Sequence, residues 1–203
     1  MKTITGLYDS YDDARTAVKA LEDSGVSSDD ISILYYKDGK EELEGQGNKA
    51  GEGAGVGAGL GAVAGGAGGL LTGLGIMAIP GVGPVVAAGW LAATAAGAVA
   101  GAVAGGAAGG LVGAMIESGV SEEDAHVYAE GIRRGGAVVA AKVENDKVAA
   151  AEGVLAGPRT VDLAERRRAY TAGGWSRFDE RADPYTAEQI EAERGRYRPE
   201  ARL

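Results

Sequence analysis

The first part of the chain alternates polar and apolar residues and then changes to helical spacing. Residues 2–8 have the alternation of a short strand. Ser10 and Asp13 follow with the spacing of a capping box, and the next apolar residues lie three or four positions apart, which predicts a helix. Gly25 is expected to end this helix. The β-branched and aromatic residues 31–36 predict a second strand.

The same signals return in the second half of the chain. Ser121 and the acidic residues after it repeat the helix start, and Gly135 is expected to end the helix. Residues 137–143 predict a strand. Asn145 is expected to cap a further helix, and residues 160–163 suit an edge strand.

This order of elements predicts an α+β fold of the ferredoxin-like type, with a small, mostly antiparallel sheet and helices on one of its faces. Residues 1–52 and 117–163 would form this discontinuous domain. Residues 53–116 would be an insertion. Residues 164–203 are rich in charge and poor in apolar side chains, so they are expected to form a C-terminal arm or tail with some helix.

The insertion carries the most specific pattern of the chain. It contains no charged residue, and a turn is predicted near its middle, at Pro80, Gly81, Gly83 and Pro84. Glycine occupies every fourth position on both sides of this turn. The first glycine register is Gly53, Gly57, Gly61, Gly65, Gly69 and Gly73. The second is Gly97, Gly101, Gly105, Gly109 and Gly113.

Such registers predict helices that need close neighbours. An interior glycine costs a helix about 1 kcal/mol relative to alanine. Close backbone approach along a ridge without side chains can offset that cost, as in GxxxG interfaces. We therefore expect a glycine-zipper helical hairpin, crossing at roughly −40° to −50°, that packs against copies of itself in a homo-oligomer.

The charge distribution excludes one class of partner. The formal net charge is −9, and residues 1–52, 53–116, 117–163 and 164–203 carry −6, 0, −4 and +1. Nucleic-acid binding requires clustered Lys and Arg to release counterions. An acidic folded part therefore predicts no nucleic-acid partner.

Candidate chemistry is sparse. The chain has no cysteine, no phosphate-binding loop and no G-x-S-x-G serine motif, and the fingerprint-like residues 59–64 lie inside the glycine register. His126 is the single histidine, and its acidic neighbours are explained by the positive end of a helix. We therefore predict a protein that is not an enzyme, with no catalytic, cofactor-binding or metal-binding residues, and a small-molecule ligand is not expected.

The C-terminal arm has two features that favour docking over disorder. Its aromatic residues Trp175, Phe178 and Tyr185 could pack on a neighbour, and the arginines at 166–168 would find a partner in an acidic domain.

A lipid bilayer is an alternative partner for the hairpin. At 1.5 Å per residue, arms of roughly 25 and 32 residues reach about 37 and 48 Å, against a bilayer core of about 30 Å. Glycine and alanine contribute little to insertion, so each arm alone would insert marginally. The N-terminal residues lack a secretory signal. A cytoplasmic protein is expected, or an inner-membrane protein with its α/β domain in the cytoplasm, and secretion is not.

Three segments, residues 2–14, 79–84 and 123–128, resemble bacterial general stress proteins of the YflT type. The resemblance covers most of residues 1–163, and beside it the glycine-rich insertion looks like an elaboration of the basic domain. It implies a role in the stress response and supplies no catalytic residues.

Together these patterns predict a non-enzymatic, stress-associated protein that self-assembles through its glycine-zipper hairpin. Two alternatives remain. One is a membrane-embedded hairpin protein that affects envelope integrity or permeability. The other is a small-ligand sensor that uses the ferredoxin-like sheet.

Overall fold

A computed structural model describes residues 1–36, 75–79, 82–94, 110–183 and 185–197. The strands are β1 (Lys2–Tyr8), β2 (Ile31–Tyr36), β3 (Gly75–Ile79), β4 (Gly83–Ala88) and β5 (Ala137–Val143). The helices are α1 (Tyr11–Asp23), α2 (Gly110–Glu117), α3 (Glu122–Arg133), α4 (Val148–Leu155), α5 (Leu163–Ala172) and α6 (Ala187–Tyr197). The protein is thus a mixed α and β structure, as predicted.

The five strands form one sheet in the order β1-β5-β2-β4-β3, and every neighbouring pair is antiparallel. Strand β5 lies between β1 and β2, with Val139 opposite Gly6 on one side and Ile33 on the other. Ile33 is in turn opposite Ala88 of β4. Strand β5, which is distant in sequence, is therefore inserted between the two N-terminal strands.

Helix α1 follows the predicted pattern closely. The Ser10 hydroxyl accepts a hydrogen bond from the Asp13 backbone N–H at 3.2 Å, which satisfies one of the free donors of the first turn. The apolar stripe ending at Leu21 is buried against the sheet. Gly25 adopts a positive φ of 88°, where glycine is favoured, and ends the helix. The predicted start, face and end of α1 are confirmed.

Helices cover both faces of the sheet, which corrects the prediction that they cover one face. Helices α1 and α4 pack with one set of strand residues, including Ile33 and Val139, in one core cluster. Helices α2 and α3 pack with the alternate set, including Leu34 and Val138, in the other cluster. Because β2 and β5 carry apolar side chains at successive positions, both of their faces need cover. The ferredoxin-like arrangement is not confirmed.

The predicted helical hairpin is interrupted by a β-hairpin. Strands β3 and β4 pair from Gly75 opposite Ala87 to Ile79 opposite Gly83, and β4 also pairs with β2. Gly83 and Pro84, predicted as turn residues between helices, are the first residues of β4. Pro80 and Gly81 lie outside the described residues. Residues 85–88 are all buried. As a strand they pair with β2 and bury side chains on both faces of the sheet, which stabilises them more than an isolated helix would.

A short helical stretch, residues 90–94, follows β4 and is fixed to β2. The Ser32 hydroxyl, fully buried on β2, accepts a hydrogen bond from the Leu91 backbone N–H at 3.0 Å. The Trp90 indole N–H donates to the Asp30 carbonyl oxygen, also at 3.0 Å. Gly89 allows this close approach, since a side chain there would overlap the backbone of residues 31 and 32.

Two local predictions need correction. Helix α4 begins at Val148 after Lys147, without a side-chain cap, so Asn145 does not cap it. In place of an edge strand at residues 160–163, Thr160 forms a single bridge with Tyr8. Helix α5 then begins at Leu163, because Asp162 caps it through the Glu165 backbone N–H at 2.8 Å.

The contact between Gly89 and β2 gives a first prediction. Gly89 and Gly119 both have positive φ, but only Gly89 faces backbone atoms that a Cβ would overlap, and Gly119 has open space around it. We expect Gly119→Ala to lower the free energy of unfolding by about 1 kcal/mol, the cost of a left-handed conformation. Gly89→Ala should cost at least about 2 kcal/mol more, as expected for overpacking.

Urea unfolding of the two variants and the unaltered protein checks this expectation. Equal losses for the two variants would show that the backbone of residue 89 does not approach β2 closely.

Candidate functional site

The predicted glycine registers lie almost entirely outside the described residues. This applies to Gly53, Gly57, Gly61, Gly65, Gly69 and Gly73 of the first register and to Gly97, Gly101, Gly105 and Gly109 of the second. Gly113, the last glycine of the second register, lies on helix α2. The first six residues of α2, from Gly110 to Met115, are all buried, and this helix packs against α3.

The C-terminal arm docks on the domain of its own chain. Tyr170 on α5, Phe178 after it and Ile190 on α6 are all at most 3% exposed. The Ile190 side chain fills the space beside Gly135, in the turn between α3 and β5, where a Cβ would overlap it. The prediction that the arm docks is confirmed, and its partner is the α/β domain of the same chain.

A buried group of charges fastens the arm to α3. The Glu130 side chain is fully buried and accepts hydrogen bonds from Arg133 Nη2 and Arg134 Nε, both at 2.7 Å. Arg134 Nη1 also donates to Glu193 of α6 at 2.8 Å. Two carboxylates from different helices therefore share one guanidinium. Removing Arg134 would leave Glu130 paired with Arg133 alone and Glu193 paired with Arg196 alone, while both carboxylates stay buried.

Aromatic rings complete the surroundings of these arginines. The Arg134 guanidinium lies 4.0 Å from the centre of the Tyr170 ring, and Arg166 lies 3.7 Å from that of Tyr197. Burial alone would lower the pKa of Arg134, but its hydrogen bonds to Glu193 and Glu130 raise it. Burial raises the pKa of the Tyr170 phenol, although the nearby arginines oppose the shift. The Arg134 guanidinium thus stays charged and the Tyr170 phenol stays neutral throughout the physiological pH range.

Two of the arginines at 166–168, Arg166 and Arg167, meet acidic residues, as predicted for this run. Arg166, 9% exposed, pairs with Asp9 at 2.7 Å, at the end of β1. Arg167 pairs with Glu123 and Asp124 at the start of α3. These acidic side chains also lie near the positive end of the α3 dipole, so they stabilise both the helix start and the arm.

Two cavities lie where the arm meets the domain. The first, about 670 Å³, lies between the β1–α1 junction and helices α5 and α6, and its charged walls include the paired Asp9 and Arg166. The second, about 630 Å³, lies between α2, α3 and residues 174–181, which we call the arm loop. It combines apolar walls from Val112 and Phe178 with His126. Neither of these two cavities is lined by strand residues, whereas the small-ligand sensor considered above would use the sheet.

His126 lies on α3, and its side chain is 14% exposed. Its Nδ1 atom is buried and has no hydrogen-bond partner within the described residues. Its Nε2 atom lies 4.0 Å from the exposed carboxylate of Glu122. Burial, and then the positive charge of Arg177 in the arm loop, lower the pKa of His126, while Glu122 acts in the opposite direction. The imidazole is therefore neutral at pH 7.

The described residues contain no group of three or more His, Asp or Glu side chains placed to hold a metal ion. None of the helices within those residues has the length and apolarity needed to cross a bilayer. Comparison with protein-family models, curated proteins and solved structures gave no match.

Little in the amino-acid sequence indicates that these charges are buried. Glu130 occupies a helical position next to the predicted apolar face of α3, and a carboxylate there is normally solvated. One signal was available, since Arg133 and Arg134 follow at the spacings that bring side chains together on a helix. The third partner, Glu193, lies 59 residues from Arg134, and local spacing does not reveal it.

The shared guanidinium gives a second prediction. Arg134→Met should lower the free energy of unfolding by about 2 kcal/mol or more, because the buried carboxylates of Glu130 and Glu193 would each lose one of their two arginine partners. The matched control is Asp23→Asn, which removes the exposed pair of Lys19 and Asp23 on α1. The control should change stability by less than about 1 kcal/mol.

Urea unfolding monitored by circular dichroism measures both changes. A loss for Arg134→Met no greater than that for the control would contradict the buried network.

Proposed function

We propose that this protein is a non-enzymatic, stress-associated protein that assembles with copies of itself through helices carrying its two glycine registers. The observation that carries the proposal is the burial of α2. This helix ends the second register, and its first six residues, Gly113 among them, are buried. A helical, closely packed conformation thus occurs where the register meets the described part of the chain.

The β3–β4 hairpin changes how the two glycine registers are connected in this proposal. Strands β3 and β4 occupy the centre of the uncharged segment and belong to the sheet. The first register therefore precedes β3 and the second follows β4, and these strands stand where a turn between two helices was predicted. The proposal accordingly includes contacts between registers of different copies as well as contacts within one copy. Each register would still need such contacts to offset the cost of its glycines.

Charge favours the same arrangement. The acidic segments 1–52 and 117–163 carry −6 and −4, and residues 53–116 carry no charge. An assembly centred on residues 53–116 keeps like charges apart and removes apolar surface from water. The association with stress rests on the resemblance of residues 2–14, 79–84 and 123–128 to the YflT-type proteins.

Leucine substitutions in the second register test the assembly. Gly101→Leu with Gly105→Leu should reduce or disperse the oligomer, because two bulky side chains prevent the backbones from approaching. The matched control is Gly153→Leu with Gly195→Leu, which introduces the same residues at exposed helical glycines with open space around them.

Light scattering coupled to size exclusion gives the mass of each variant. We expect a mass loss for the register variant only. An unchanged mass for the register variant would contradict assembly through the glycines, and equal losses for both variants would point to added leucine as the cause.

Extraction of cell membranes with carbonate separates this proposal from the membrane-embedded hairpin. A soluble or peripheral assembly should be released into the supernatant. Retention in the pellet would favour a hairpin in the bilayer and an effect on envelope permeability. Oligomer mass with and without detergent provides the same distinction on purified protein.

A further inference from the structure

We propose that His126 and the arm loop form an acid-sensitive latch, in which protonation of the imidazole releases residues 174–181 from α2 and α3. This property is independent of assembly through the glycine registers. The proposed assembly does not involve His126. The latch gives a role to this histidine and to the cavity between α2, α3 and the arm loop.

The first argument is the burial of the imidazole. Its side chain is 14% exposed, and the buried Nδ1 atom has no hydrogen-bond partner within the described residues. A neutral imidazole carries one N–H, whereas the protonated ring carries one on each nitrogen. When the neutral ring carries its proton on Nε2, protonation places a donor at Nδ1, where the described residues offer no acceptor. Such a buried, unsatisfied donor opposes the closed conformation.

The second argument is the charge around the ring. The residues of α2 that line the cavity with His126 are Val112, Gly113 and Ile116, none of which titrates. Helix α3 contributes Glu122, 76% exposed and therefore largely screened by water. The charged residues that the arm loop contributes to the cavity are Arg177, Asp179, Glu180 and Arg181.

Burial first, and Arg177 second, lower the pKa of His126 below its usual 6.5, and Glu122 does not cancel them. The unfolded or opened chain therefore binds the proton more readily than the closed one. The closed latch is most stable above pH 6.5, and it loses stability as the pH falls from 6.5 through the lowered pKa of the closed form.

Glu180 acts with the opposite sign. Burial, and then Asp179, raise the pKa of Glu180 above its usual 4.5. Its contribution to stability is present at acid pH and is lost as the pH rises through that raised pKa. A substitution of Glu180 therefore separates its effect from that of His126.

The third argument is that the arm loop can open while the rest of the arm stays docked. The loop has no helix or strand and is anchored chiefly by Phe178 and Trp175. Helices α5 and α6 are fastened by other pairs, Arg166 with Asp9 and Arg134 with Glu193. Segments with few backbone hydrogen bonds open at lower free energy than the core does.

Trp175 reports on the latch directly. Its ring packs on Tyr170 at 5.7 Å, and its indole nitrogen is buried. In a Trp90→Phe background, Trp175 is the sole tryptophan. We expect its emission to shift to longer wavelength on acidification, with a midpoint below pH 6.5, while far-ultraviolet circular dichroism stays constant. His126→Phe and His126→Gln should abolish the shift, and Glu180→Gln should retain it.

Hydrogen exchange on the unaltered protein is an independent measurement, should Trp90→Phe disturb the fold. After correction for the intrinsic pH dependence of exchange, residues 174–181 should lose protection between pH 7.5 and 5.5 while β5 keeps it. The proposal is overturned if the His126 variants respond to acid like the unaltered protein, or if the loop and β5 lose protection together.

Discussion

Strand β5 carries small apolar side chains that are buried on both of its faces, and the arrangement of the other elements follows from this. Its position between β1 and β2 satisfies its backbone hydrogen bonds on both edges. Its alternate side chains then require a helical layer above and below, supplied by α1 and α4 on one side and by α2 and α3 on the other. Because Ala137, Ala140 and Ala141 are small, helices can lie close to the sheet. Gly131 of α3 illustrates this, since a Cβ there would meet Leu7 of β1.

The C-terminal arm is held by a different kind of interaction. Few apolar residues are available in it, and its attachment combines three well-buried apolar or aromatic side chains, Tyr170, Phe178 and Ile190, with buried ion pairs. Buried pairs contribute little net stability compared with apolar packing, but they penalise a wrong partner strongly. The arginines of the arm thus specify where it docks, and the apolar residues supply most of the attachment.

The sequence predicted local structure better than it predicted how the elements are arranged. The caps of α1 and α3 and the bounds of β1, β2 and β5 follow from short-range patterns, and these were confirmed. The continuous apolar run of β5 indicates a strand that is covered on both faces. The ferredoxin-like prediction, with helices on one face only, did not take this into account. A short apolar run such as residues 83–88 is compatible with helix or strand. Its pairing with β2, about 50 residues away, decides between them.

The candidate site was less accessible from the sequence for the same reason. The docking of the arm and the contact of its arginines with acidic residues could be predicted from composition and charge. The environment of His126 could not, because Phe178 and Arg177 come from a loop about 50 residues further along the chain. A histidine at the edge of an apolar helix face becomes buried only when another segment covers it.

The Ser32 hydroxyl influences the direction in which the chain leaves strand β4. It accepts the Leu91 N–H, so a side chain of the sheet orients the first turn of the helical stretch that leads from β4 toward the second glycine register. The direction of residues 90–94 relative to the sheet is thus set by hydrogen bonds to residues 30 and 32. In the assembly proposed above, this shared direction at residue 94 would give every copy the same starting geometry, which closed symmetry requires of identical contacts.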